Sequence, residues 1–180
     1  MVPNCWLDPA VAKRQAEEVL KRAKEIYPDC NETFDTNWAQ LNKQFELLIV
    51  SVEAVELMVS KLENKSIVSS DPRLKYLTRS LGLEDVHLLW FSSVDETEAL
   101  KSAEAAMKKL GDPKPLGMLW VGDNEVEGSV QHEDLVSKMF GRTQSLTAFN
   151  FTPPNAAESD EFYFSEMQAN LNQLYDLVKQ

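Results

Sequence analysis

Histidine and cysteine are scarce in this chain: 180 residues hold two of each. Imidazole and thiolate are the usual ligands of structural zinc and the usual bases and nucleophiles of hydrolytic sites. Cys5 and Cys30 form no C-x-x-C, and no second Cys or His stands at metal-ligand spacing. His87 and His132 are far apart in sequence, so a Cys–His nucleophile pair would depend entirely on the fold. His132-Glu133-Asp134 has the residue types of a ligand or base, yet an exposed His in the acidic first turn of a helix explains it as well. On these grounds no metal ion, no cofactor and no catalytic residue is assigned.

Glycine is rare too, with 6 in the chain. Gly117, Gly122 and Gly128 fit neither G-x-G-x-x-G nor a Walker loop, which excludes the common phosphate cradles. Positive charge is short: 18 Lys and Arg against 29 Asp and Glu leave a formal net charge of −11. The clustered cations that hold nucleic acid or an anionic membrane are missing, so neither is an expected partner. Surplus acid suits solubility and a protein partner, a basic one in particular.

Long apolar runs are absent as well. The longest, Leu47–Val50 with Val52 beyond it, cannot span a bilayer. Met1–Ala10 lacks the basic and apolar regions of a secretory signal. The expectation is a cytoplasmic chain with both thiols reduced. Cys5 and Cys30 flank a predicted helix about 28 Å long, too far for a disulfide.

What is present is strong helical patterning. Asp8 and Pro9 open a helix that Pro28 ends, with Ala12, Ala16, Val19, Leu20, Ala23, Ile26 and Tyr27 on one stripe. A second helix is expected over Asn37–Glu63, capped by Asp35 or Thr36. Trp38, Leu41, Phe45, Leu48, Val52, Val55, Val59 and Leu62 alternate steps of three and four along it. Such a seam suits a core helix better than a dimer zipper, leaving monomer and homodimer both open. Leu47–Val50 is apolar round a full turn, which predicts cover on more than one side. Asp71, Pro72 and Gly82 bound a short third helix.

The second half alternates. In "HLLWFSS", "GMLWVGD" and "TAFNFTP", Leu89, Leu119 and Phe149 fall thirty residues apart. Between the first two runs lies a helix signal, with Ser93 and Glu96 at capping-box spacing and Gly111 closing it. A shorter helix is expected over His132–Phe140 and a final one over Ser159–Lys179. The order reads βαβαβα, with strands at Leu88–Phe91, Met118–Val121 and Ala148–Phe151.

The expected fold is therefore α/β. Long N-terminal helices (1–82) pack on a small three-stranded parallel sheet (83–180) in three layers, as one domain. Sequential strand order would put the later helices on one face and the N-terminal pair on the other. An all-α bundle is the alternative, because short apolar runs also occur in buried helices.

In such sheets ligands bind beyond the carboxyl ends of the strands. The polar residues there, Ser92, Ser93, Asp95, Asp123, Asn124 and Thr152, are the ligand candidates, and Asp95 with Asp123 could hold Mg2+. Caps and turns need the same residue types. Trp6, Phe162 and Tyr163 are the interface candidates, being aromatics among acids. The leading functional expectation is a non-catalytic cytoplasmic interaction module: an adaptor, a subunit or an inhibitor of a basic partner. The competing one is a small α/β enzyme or ligand-binding domain that uses the strand ends.

Overall fold

Asp8 does what its type and place suggest: its carboxylate accepts from the N–H groups of Ala10 and Val11, and Pro9 occupies the first turn. Helix α1 follows over Pro9–Ile26. A computed structural model describes residues 5–69, 72–87, 98, 101, 104–105, 107–109, 115–121, 143–146 and 162–179 of the chain. At the end of α1 a 3-10 turn, Pro28–Cys30, leads straight into α2, Asn31–Ser60. The predicted start at Asn37 is thus six residues late. Asp35 is no cap but lies inside α2, where it pairs with Lys24 across the α1–α2 hairpin. The turn supplies the reversal that a capping side chain was expected to mark.

Four short strands follow: β1 (Ser66–Ser69), β2 (Glu84–His87), β3 (Met118–Val121) and β4 (Thr143–Leu146). Between β1 and β2 lie a 3-10 turn, Pro72–Leu74, and helix α3, Lys75–Ser80. Gly82 then adopts a φ of 71°, the left-handed turn that glycine takes without a Cβ clash. The last helix, α4, spans Phe162–Val178. All strand pairs are parallel, in the order β2-β1-β3-β4.

Helices on a small parallel sheet are the observed class, and the sheet excludes an all-α bundle. Three details of the expectation are corrected. Among the described residues the sheet has four strands, not three, because Ser66–Ser69, to which no element was assigned from the sequence, forms a strand. The order is not sequential, since β3 adds to β1 on the side away from β2. Of the three predicted strands, Met118–Val121 is found as such; the other two ladders sit at Glu84–His87 and Thr143–Leu146, while Leu88–Phe91 and Ala148–Phe151 lie outside the described residues. The helix expected over His132–Phe140 lies outside them too.

One core gathers these elements. Leu48, Val52, Val55 and Val59 of α2 meet Met167, Leu171, Leu174 and Val178 of α4, together with Ile67, Leu77, Leu81 and Leu119. The α2 seam is core, as its spacing requires. The apolar girdle is not covered all round, however: Leu47 and Val50 are each 61% exposed. Because α2 shares its core cluster with α4 and α3, it lies on the same face of the sheet as they do. The N-terminal helices therefore do not form a separate layer of their own.

Candidate functional site

The strand order dictates where a ligand can enter. From β1 the chain passes through α3 to β2 on one side, whereas β3 lies on the other side of β1. Right-handed crossovers in opposite directions lie on opposite faces of a sheet. This order makes the carboxyl ends of β1 and β3 the switch point of the sheet, the place where parallel sheets generally bind ligands. Ser69 closes β1 opposite Leu119 of β3, and His87 closes β2 opposite Ser69.

The β1 end is anchored by polar groups inside an otherwise apolar layer. Ser69 is 0% exposed and Thr78 of α3 is 1% exposed. Both hydroxyls donate to the same oxygen of half-buried Asp85 on β2, at 3.0 and 3.2 Å. Hydrogen bonds to a carboxylate are stronger than those between neutral groups, so the link is firm. At the other end of β1, Asn64 Oδ1 accepts from the Ser66 N–H at 2.9 Å and fixes the turn into the strand.

The sequence-predicted residues divide in two. Ser92, Ser93, Asp95, Asp123, Asn124 and Thr152 lie outside the described residues. Trp6, Phe162 and Tyr163 are placed. Trp6 and Tyr163 pack against the core, and the Tyr163 hydroxyl donates to the Trp6 carbonyl at 2.7 Å. Phe45, Tyr163 and Phe164 form an aromatic cluster with edge and tilted contacts. Phe162 stands on the surface, 39% exposed. Trp6 and Tyr163 are thus half-buried within the chain, and of the three only Phe162 is exposed.

Sequence reasoning missed Ser69, Thr78 and Asp85. The signal was a β-branched run, Ile67-Val68, closed by serines, and an acidic pair, Glu84-Asp85, between Leu83 and Val86. Cys5 and Cys30 are both free, at opposite ends of α1. Among the described residues no group of three or more His, Cys, Asp or Glu side chains is placed to hold a metal ion. Among them, too, no helix is long and apolar enough to cross a membrane.

Comparison with known proteins adds what geometry cannot. A family model described as zinc-uptake complex component A, periplasmic, matches residues 3–177. The zinc-binding lipoprotein AdcA of Streptococcus pneumoniae is 25% identical over 179 residues, which are 99% of this chain and 34% of that protein. The Zn(II)-bound ZnuA-like domain of the same AdcA superposes with a TM-score of 0.72 at 24% identity, over 99% of this chain and 64% of that one. The SBP FpvC of Pseudomonas aeruginosa, solved with Ni2+, gives a TM-score of 0.74 at 17% identity, over 98% and 62%. These solved structures establish a shared fold. The chain spans about a third of AdcA, and less than two thirds of each solved relative.

The family match corrects the functional expectation. A cytoplasmic, acidic interaction module is replaced by a family described as periplasmic parts of a zinc-uptake complex. The expectation of no membrane partner falls with it, because uptake carries an ion across a membrane. So does the reading of a partner from charge, since net charge governs solubility and steering rather than ligand identity. Matched from residue 3 to residue 177, the chain belongs to the periplasmic component A family of zinc-uptake complexes.

Proposed function

We propose that this chain captures a divalent transition metal, zinc foremost, outside the cytoplasm and delivers it to a membrane transport partner. The observation that carries this reading is the family match over residues 3–177. The relatives agree in chemistry: one is named zinc-binding, and solved relatives hold Zn(II) and Ni2+. The place proposed for the ion is the carboxyl edge of β1 and β3, the switch point of the strand order.

Zinc takes nitrogen, sulfur and carboxylate ligands, commonly four in all. Beside its two histidines the chain can offer carboxylates to such a set. His87 ends β2, and Asp123 follows the last residue of β3 by two positions. These two residues with Asp95 are the proposed donors. Ser92, Ser93, Asn124 and Thr152 are the proposed polar surround. Mg2+, which prefers an all-oxygen octahedron, suits an edge with His87 less well than zinc or nickel.

Titration calorimetry of chelator-treated protein tests this. Zn2+ or Ni2+ is expected to bind with a defined stoichiometry and raise Tm, and Mg2+ to do neither. His87→Ala and Asp123→Ala should each weaken Zn2+ binding by at least about tenfold. Absence of heat and of a Tm shift with Zn2+, Ni2+ and Mn2+ alike would leave the chain with the fold of the family and without its cargo.

A further inference from the structure

Three polar side chains sit where the surrounding layer is apolar. Ser69 and Thr78 are buried, as are Ile67, Leu74, Leu77 and Leu119, and their hydroxyls converge on Asp85 Oδ2. Thr78 shares its one proton between that oxygen and the Lys75 carbonyl, each at 3.2 Å. Stability alone does not call for such a group. Replacing a buried polar set by apolar residues of similar size is often neutral or favourable. What a hydrogen-bonded set supplies is a single arrangement among several that would pack equally well.

The arrangement fixed here is the one that matters for the carboxyl edge of the sheet. The bonds tie together β1, β2 and α3, and Ser69 is the last residue of β1, at the point where β1 and β3 part. We propose that Asp85 is a positioning residue for the metal edge: by accepting from Ser69 and Thr78 it sets the carboxyl end of β1 against β2 and α3. This rests on the reading that the edge binds a divalent metal. Asp85 itself is assigned no contact with the ion. Its pairing with Ile67 places it two residues before His87 on β2, back from the strand end.

The experiment is Zn2+ calorimetry and thermal melting on the wild-type chain, Thr78→Val, Thr78→Ser, Ser69→Ala and Asp85→Asn. Thr78→Val removes a hydroxyl at constant shape, on a helix rather than at the strand ends. It and Ser69→Ala are expected to weaken Zn2+ binding by about threefold or more, and to lower Tm only by the few degrees that loss of one hydrogen bond to a carboxylate brings. Thr78→Ser keeps the hydroxyl and should restore affinity to within about twofold. Asp85→Asn keeps an accepting carbonyl and should bind Zn2+ at least as well as Ser69→Ala. A lower Tm with unchanged affinity in Thr78→Val and Ser69→Ala would make the set purely structural and overturn the inference. Loss of binding in Asp85→Asn alone would make Asp85 a ligand, and overturn it differently. A wild-type chain that binds no metal removes the functional reading and this inference together; a wild type that binds, with unresponsive variants, removes only the inference.

Discussion

Tyr163 shows how much one residue near the core can report. Burial, and then the negative charge of Asp8, push its phenol above the ordinary value near ~10. The folded state therefore holds this proton more tightly than the unfolded chain does. Its contribution is fully present below about pH 10 and is lost as pH rises from there toward the folded-state value. Tm of the wild type should thus fall faster than that of Tyr163→Phe between about pH 9 and about pH 11. At neutral pH the same substitution removes the hydrogen bond to the Trp6 carbonyl and should cost about 1 kcal/mol in denaturant melts. Equal slopes in alkali would show that the phenol is not held protonated by the fold.

Among the elements, those marked by side-chain chemistry were legible and those marked by backbone pairing were not. Asp8, Pro9 and Pro28 bracket α1 in the sequence as they do in space, so Asp8→Ala should destabilise by about 1 kcal/mol. Gly82 likewise stops α3 with a positive φ. No atom lies within 4 Å of where its Cβ would be, so the cost of Gly82→Ala is a backbone cost alone, about 1 kcal/mol by chemical denaturation. Substitution by Asn, which tolerates the left-handed region better, should lose less than Ala. The strands were harder. Strand β1 has four residues and follows a 30-residue helix with little punctuation. Strand β2 contains Glu84 and Asp85, so its ladder begins before the apolar run that drew attention to it. The partner that makes Asp85 tolerable, Ser69, lies 16 residues away and in a different strand. No local pattern encodes that meeting.

At the scale of the whole molecule, the sequence carried the class of fold but not the strand order, and it is the strand order that locates the switch point of the sheet. Sheet order follows from which crossover is short enough to close, a contest between loop closure and face burial that periodicity does not record. Function was less legible still, since a net charge of −11 described the surface while family membership showed itself only across nearly the full chain. The single domain expected for residues 1–180 remains a proposal, and the core suggests how to test it. Leu174 of α4 is fully buried in a cluster that also holds Val55 and Val59 of α2, Ile67 of β1 and Leu119 of β3. Its truncation opens a cavity that helices and sheet share. Leu174→Ala should therefore cost about 2–5 kcal/mol. In both wild type and variant, far-ultraviolet circular dichroism and tryptophan fluorescence should lose their signals in one coincident transition. Trp38 in α2 and Trp120 in β3 place reporters on both parts of the molecule. Two separated transitions, with only the helical one moved by the substitution, would divide the chain into a helical arm and a sheet that melt independently.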